Sequence, residues 1–268
     1  MFDRLTTTNA VYALPILGLA MVLGWSPIAG AHPASAHKAA VPAKASTLGT
    51  ARQIAQERVA LRILASEPMV QEIRRVEALY AADPQGKTST GKATIQRAAQ
   101  AIAMAAITYA LAEDTDNPAI LWAVNAPHSW FGLDVPRSGY GIDNPDNVYR
   151  NGMVDGASRY VIHGQVKQPG PAELHFEMRD AIPGTTAMAA EGGKQVSTLR
   201  SDQMQVDADG RFTVTIDRDP PNGRSNHLQI PAEGKSLFVV RDLFTNWATQ
   251  SPVALDIERI GGPAIAAP

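Results

Sequence analysis

The chain has 268 residues, of which 45% are hydrophobic and 19% charged, a balance typical of globular proteins. The formal net charge of -2 argues against a nucleic-acid partner, because nucleic-acid-binding surfaces carry a basic patch or stripe. The absence of cysteine excludes thiol nucleophiles, iron–sulfur clusters and thiolate metal sites. We therefore expect a fold that depends on its hydrophobic core for stability.

Residues 1–36 have the pattern of a secretory signal peptide. An apolar run follows Arg4, and two small-x-small cleavage sites lie at residues 29–31 and 34–36. The alternative is an uncleaved membrane anchor, but Pro15 and other breakers leave the run shorter than the roughly 20 apolar residues that a span needs. The sequence thus predicts a periplasmic or secreted, soluble protein that has no membrane partner after cleavage.

A helical segment is predicted over residues 51–118, after a flexible linker at residues 37–50 that is rich in Ala, Pro and Lys. Apolar residues recur at spacings of three and four from Met69 to Tyr80, with Ser66 as a candidate N-cap. A second stripe, from Ala93 to Ala112, contains many small residues, which allow a neighbouring element or subunit to approach closely. This stripe makes a homo-oligomer one of the expected assemblies.

Period-two alternation replaces the helical pattern in residues 119–262, the second predicted domain. Short strands without intervening helices indicate an antiparallel sandwich or barrel rather than a βαβ fold. Asp207–Gly210 has the composition of a hairpin turn. The predicted strands are Arg159–Lys167, Ala172–Arg179, Gln195–Val206, Arg211–Ile216, His227–Ile230, Ser236–Arg241 and Val253–Ile260.

Segments spread over about residues 110–260 carry a family resemblance. Gly141–Gln165 joins an Asp-Asn-Pro-Asp motif and a Tyr to an acidic-Gly turn and a Tyr-centred strand that ends in Gly. The other segments are Met204–Phe212, Val239–Trp247 and Leu255–Arg259. Together they resemble the bacterial family catalogued as "domain of unknown function 1214", although His227 and Asn246 stand where that family often has Trp and Asp.

The resemblance implies a β-domain of a particular kind and leaves the activity open. With the helices, the expected fold class is α+β: N-terminal helices followed by an antiparallel jelly-roll-like β-sandwich. The family carries no settled activity, and fold analogy alone does not supply a function.

Two histidines are the first candidates for catalysis. If Lys167–Pro171 turns a hairpin, His163 lies directly opposite His175 on one sheet face, together with carboxylates such as Glu177. This cluster can ligate zinc or iron, or act in general acid–base catalysis. The alternative is a solvated outer face, where polar residues are expected anyway.

The segment from Asp143 to Asn147 concentrates carboxylates and amides around Pro145. These side chains can hold a substrate hydroxyl or a hard cation, or they can form a structural network of Asx turns. Aromatic and basic residues nearby favour a pocket. The catalytic candidates here are Asp143 and Tyr149, and the binding candidates are Tyr140, Asn144, Asp146 and Arg150.

The segment His128–Gly132 is predicted to lie outside any strand. Trp130 and Phe131 can wall a binding cleft with His128 as its acid or base, or Trp130 can simply anchor a loop to the core. Tyr160 is a further binding candidate. Arg241 is expected to form a salt bridge with Asp242, the alternative being a clamp for a substrate carboxylate.

Two functions from different classes remain open at this point. The first is an exported enzyme, a cofactor-free or metal-assisted lyase or hydrolase that acts on a small, largely apolar compound of aromatic or lipid-like type. The second is a non-catalytic periplasmic module that binds a small molecule or takes part in assembly. The sequence names neither a cofactor nor a metal.

Overall fold

The computed structural model describes residues 47–139, 143–182 and 193–265. The predicted signal peptide, most of the predicted linker and Tyr140 lie outside the described residues. Within them, three α-helices precede a set of mostly antiparallel strands, so the chain has an α+β fold. None of the described helices combines the length and apolar character that crossing a bilayer requires.

The helices are α1 (Ala51–Leu64), α2 (Glu67–Ala82) and α3 (Ser89–Leu111). Thr50 caps α1 and Thr88 caps α3, since each side-chain hydroxyl accepts a hydrogen bond from a backbone N–H of the first turn. The predicted helices 69–80 and 93–112 are therefore confirmed. Part of the small-residue stripe of α3 is buried against the rest of the chain, including Ala99, Ala103 and Ala105.

The strands form two larger sheets and one short hairpin. The five-stranded sheet has the order β1-β4-β10-β6-β7, the four-stranded sheet has the order β11-β5-β8-β9, and β2 pairs with β3. Among the described strands, every pair is antiparallel except β8 with β9. Their bounds are β1 Leu121–Trp122, β2 His128–Trp130, β3 Leu133–Val135, β4 Asn147–Asp155, β5 Arg159–Gln165, β6 Glu173–Arg179, β7 Gln195–Arg200, β8 Arg211–Asp217, β9 His227–Gln229, β10 Lys235–Leu243 and β11 Ala254–Gly261.

The main hydrophobic core receives one face of each larger sheet. Phe176 and Phe238 enter it from the five-stranded sheet, and Ile162 and Val214 enter it from the four-stranded sheet. Gly164 has a packing role here, because a Cβ at this position would lie 2.1 Å from the Phe212 ring. We call the opposite side of the five-stranded sheet, which points away from this core, its outer face; Tyr109 of α3 packs against part of it.

The hairpin predicted between residues 163 and 175 is wrong. β5 pairs with β8 and β11, whereas β6 pairs with β7 and β10, so the connection at residues 166–172 crosses from one sheet to the other. Asp207–Gly210 does form a turn, with Gly210 at a positive φ of 81°. It is not a hairpin between β7 and β8, because these two strands also belong to different sheets.

Candidate functional site

The two candidate histidines do not form a pair. His163 lies on the four-stranded sheet with 53% of its side chain exposed, and its Nε2 is 3.1 Å from Glu258, which is also exposed. His175 lies on β6 of the other sheet. Among the described residues, no group of three His, Asp or Glu side chains is arranged to hold a metal ion. The predicted zinc or iron cluster of His163 and His175 is therefore not formed.

The structure instead brings three other candidates together on the outer face. Arg241 of β10 is directly opposite Tyr149 of β4 on one side and His175 of β6 on the other. Arg241 Cζ lies 5.8 Å from the centre of the Tyr149 ring, a cation–π distance. We call these three side chains the Arg241 row. Antiparallel register places them side by side, although they are far apart in sequence.

Glu177 fixes the position of the Arg241 guanidinium. Its carboxylate accepts hydrogen bonds from Arg241 Nη1 at 2.5 Å and from Arg179 Nε at 2.7 Å. Burial raises the pKa of Glu177, but the hydrogen bonds and charges of Arg241 and Arg179 outweigh burial and hold this pKa below its ordinary value. Glu177 is thus an ionised, 3% exposed residue that orients Arg241.

His175 is neutral near pH 7 in this environment. Burial and then the positive charge of Arg241 lower its pKa below the ordinary value of 6.5. Its Nδ1 lies 3.5 Å from Arg241 Nη1, so Nδ1 is the acceptor. The proton of the neutral ring is then on Nε2. The row therefore presents a neutral N–H donor beside a guanidinium cation.

The segment before β4 forms the predicted Asx-turn network. Asn144 Oδ1 accepts a hydrogen bond from the backbone N–H of Asp146 at 3.0 Å, and Asp143 pairs with Arg137 at 2.8 Å. The hydroxyl oxygen of Tyr149 accepts hydrogen bonds from Asn144 N at 3.0 Å and Asn147 Nδ2 at 3.2 Å. This network positions the Tyr149 hydroxyl and leaves its own proton to donate.

Other candidates lie in the core. Arg150, 3% exposed, donates to the fully buried Asp242 at 2.5 Å and to the Val253 carbonyl at 2.6 Å. The predicted Arg241–Asp242 salt bridge is wrong, because neighbouring residues of a strand point to opposite faces. The buried Tyr160 hydroxyl donates to the Thr115 carbonyl and accepts from the Asp155 backbone N–H, both at 3.0 Å.

His128 and Trp130 belong to a separate cluster around Glu57 of α1, which the sequence analysis missed. They lie on β2, not in a loop as predicted. Glu57 is 3% exposed, and its carboxylate accepts from Trp130 Nε1 at 2.6 Å and faces His128 Nε2 at 3.1 Å. His128 Nδ1 faces the Ala126 carbonyl at 2.9 Å, so both ring nitrogens lie within hydrogen-bond distance of an oxygen atom.

The Glu57 cluster attaches the β2–β3 hairpin to α1. A cavity of about 10 Å³, the size of one water molecule, lies beside Gln53, Glu57 and Trp122. Phe131, at the tip of the hairpin, has a positive φ of 49° and is 46% exposed. The cluster was hidden in the sequence because Gln53 and Glu57 are polar residues on the buried side of a helix.

Comparisons with known proteins identify the fold alone. No family model matches the chain, and no curated protein matches it either. The chain resembles the crystal structure of an uncharacterised protein from Burkholderia cenocepacia with a TM-score of 0.58 and 22% identity, over 78% of this chain and 54% of that one. It thus spans about half the length of that protein. The VPA0106 protein from Vibrio parahaemolyticus matches at a TM-score of 0.31 and 17% identity, over 43% of this chain and 31% of that one.

Proposed function

We propose that the protein is an exported enzyme, a hydrolase or lyase, which acts on a small, largely apolar compound at the Arg241 row. The observation that carries the proposal is the alignment of Tyr149, Arg241 and His175 across three neighbouring strands. Export rests on the signal-peptide pattern. The finer fold, a jelly-roll-like β-sandwich of the domain of unknown function 1214 family, is part of the same proposal, supported by the common core of the two sheets.

The chemistry follows from the donors of the row. Hydrolysis of an acyl compound and elimination beside a carbonyl both develop negative charge on an oxygen atom, and donors fixed in advance stabilise that charge. His175 Nε2–H and the guanidinium of Arg241 supply such donors, and Glu177 holds the guanidinium in place. In hydrolysis, water adds to the acyl carbon, Tyr149 protonates the leaving group, and a proton from the water returns to Tyr149.

The test is hydrolysis of a p-nitrophenyl ester of an aromatic acid by the mature protein and its variants. We expect His175→Ala to lower kcat about 10²-fold or more, since one lost donor to a developing oxyanion costs this much. Tyr149→Phe, which keeps the ring over Arg241, should reduce kcat while KM changes little. Arg211→Ala, at an arginine with 69% of its side chain exposed, is the matched control on the other sheet.

The competing proposal is a binding module without turnover. It is favoured by the full pairing of Glu177, a pattern that also occurs in structural ion networks. If the unchanged protein hydrolyses the ester no faster than buffer alone, the enzyme proposal fails and the binding module takes its place; if it does hydrolyse the ester but His175→Ala is as active as Arg211→Ala, the Arg241 row is not the catalytic site.

A further inference from the structure

The chain contains two Asn-Gly pairs, and the fold places them in opposite environments. Asn151–Gly152 lies inside β4, where Asn151 is 2% exposed and a Cβ on Gly152 would lie 2.3 Å from the Phe238 ring. Asn222–Gly223 lies in the loop between β8 and β9, where both residues are exposed and a Cβ on Gly223 would have no atom within 4 Å. The two pairs have the same covalent chemistry in very different surroundings.

The exposed pair forms a tight turn. The backbone N–H of Arg224 donates to the Pro221 carbonyl at 2.7 Å, and the two residues between them have positive φ angles of 44° and 81°. Positive φ at both central positions is the type I′ pattern, which Asn-Gly adopts readily. The same Asn-Gly sequence is chemically labile, because a glycine after asparagine has no side chain to shield its backbone nitrogen.

Both reacting groups of the exposed pair are without a hydrogen-bond partner among the described residues: the side-chain amide of Asn222 and the backbone nitrogen of Gly223. Ring closure joins these two groups. The nitrogen attacks the amide carbon Cγ, ammonia leaves, and a five-membered succinimide remains. Water then opens the ring at one of its two carbonyls, which gives an aspartate or an isoaspartate. One water is consumed and one ammonia is released for each residue converted.

We infer that Asn222 is a deamidation site of the folded protein and that Arg224 controls how fast it reacts. Ring closure requires rotation about the Asn222 backbone, so the turn has to open first. The Arg224 guanidinium opposes this opening, since it donates to the carbonyl oxygens of Asp219 at 3.1 Å and Pro220 at 3.0 Å and to the Asp217 carboxylate at 2.8 Å. The Arg224 side chain is 37% exposed, so opening the turn is a local event that costs far less than unfolding the sheet.

The sheet protects the buried pair. Asn151 stands opposite Leu121 of β1 and Val239 of β10, so its backbone is held extended between two strands. Rotation at this position requires β4 to separate from its neighbours, which approaches global unfolding. The rates of the two Asn-Gly pairs should therefore differ by the free energy of opening the sheet.

Conversion of Asn222 changes both the charge and the geometry of its loop. It adds a negative charge to a segment that already contains Asp217 and Asp219. An isoaspartate also lengthens the backbone by one methylene, which a two-residue turn cannot accommodate while keeping its hydrogen bond. The loop leads directly into β9, where His227 Nε2 lies 3.1 Å from the Arg224 guanidinium. Deamidation thus loosens the β8–β9 edge of the four-stranded sheet.

The experiment is incubation of the mature protein in oxygen-18 water at mildly alkaline pH, followed by mass spectrometry of its peptides. Oxygen-18 marks every carboxylate that forms during the incubation. We expect conversion at Asn222 to be at least about tenfold faster than at Asn151 in the folded protein, and the two rates to agree within about twofold in the chain unfolded by urea. Arg224→Ala should accelerate conversion at Asn222 severalfold without changing the rate at Asn151. Asn222→Gln is the matched control, because its amide would have to close a six-membered ring and should stay almost unconverted.

Three results overturn the inference. Equal rates at Asn222 and Asn151 in the folded protein would show that the turn does not expose the reacting groups. An unchanged rate at Asn222 in Arg224→Ala would show that the guanidinium does not hold the turn closed. Acceleration at both positions in this variant would mean that Arg224 stabilises the whole fold rather than the turn, and this too rejects its proposed role.

Discussion

The two faces of the five-stranded sheet differ in how exposed their paired arginines are. On the inner face, Arg150 and Asp242 pair directly and share the Val253 backbone as a further partner. On the outer face, Arg241 is oriented by Glu177 but presents a half-exposed edge, and Asn151 has no partner at all. The inner pair is buried and leaves one donor, Arg150 Nε, without a partner, whereas on the outer face the Arg241 side chain is 29% exposed and both amide atoms of Asn151 are unpaired.

Adjacent residues of β10 take part in different clusters on the two faces of the sheet. Arg241 and Asp242 are adjacent in sequence, but alternation sends one to each face. The inner residue completes a buried ion pair, and its neighbour joins the candidate site. Burial alone does not distinguish the two roles, since Asp242 and Glu177 are both nearly inaccessible. The exposure of the paired arginine does, since the side chain of Arg150 is 3% exposed and that of Arg241 is 29% exposed.

Breaking the inner pair should have the largest effect on stability. Asp242→Ala leaves the Arg150 charge buried without compensation, which we expect to cost about 3–5 kcal/mol in the free energy of unfolding. Urea denaturation measures this loss. The control is Asp219→Ala, which removes an ion pair with Arg159 whose side chains are 48% and 61% exposed. A loss below about 1 kcal/mol is expected there, and a similarly small loss for Asp242→Ala would contradict the comparison.

Glu177→Gln should have an intermediate effect on the outer face. Weakening a charged hydrogen bond to two arginines should cost about 1–3 kcal/mol at neutral pH. Because the pKa of Glu177 is lower in the folded protein than its ordinary 4.5, its contribution is complete above this value and is lost as pH falls through the folded pKa. Unfolding followed from pH 7 to pH 3 should be less pH-dependent in the variant. Equal acid sensitivity of the two proteins would show that Glu177 is not the source.

His175→Gln should have a smaller effect, which appears only at low pH: it should remove the loss of folding stability that His175 causes there. The lowered pKa means that the unfolded chain binds a proton more readily, so stability is unaffected above pH 6.5 and falls as pH decreases towards the folded pKa. Thermal unfolding at pH 8 and pH 5 should therefore show a smaller pH effect in the variant than in the unchanged protein. If the change in thermal stability between pH 8 and pH 5 were identical in the two proteins, the lowered pKa of His175 would be contradicted. The charged groups that act on its pKa are Arg241, Glu177, Glu173 and Arg200.

His163→Ala should have the smallest effect. The side chains of His163 and Glu258 are 53% and 60% exposed, and such surface pairs contribute little. We expect a change within about 0.5 kcal/mol by urea denaturation and no change in ester hydrolysis. A loss of activity comparable with that of His175→Ala would restore the histidine pair as the catalytic unit.

The strands were predictable from the sequence where one face is buried and the other is not. β8 is predicted as Arg211–Ile216 and observed as Arg211–Asp217, and its first four residues alternate between exposed and buried. β4 was missed for the opposite reason. Five consecutive residues from Arg150 to Val154 are buried, because the sheet is covered on both faces, and they include Arg, Asn and Gly. Alternation disappears when both faces are covered.

The first helix lies within the helical segment predicted over residues 51–118, but its own bounds were not predicted, for a similar reason. The buried residues of α1 are Gln53, Glu57, Ala60 and Leu64, which follow a helical spacing, but the first two are polar. A polar face of a helix can be recognised as buried only when the residues that contact it are known. Here these are His128 and Trp130 of the β2–β3 hairpin. The candidate site was predictable in part: the residues of the Arg241 row were named individually, but not as a group.

The sequence by itself determined that helices precede strands and that Asp207–Gly210 forms a turn, and it offered the Asx network before Tyr149 as one of two alternatives, because each depends on residues close together in the chain. Only the tertiary structure decided that His163 and His175 lie on different sheets and that Arg241 stands between Tyr149 and His175. Strand pairing depends on how whole sheet faces pack against one another. The sequence of a single strand therefore does not specify which strand will pair with its edge.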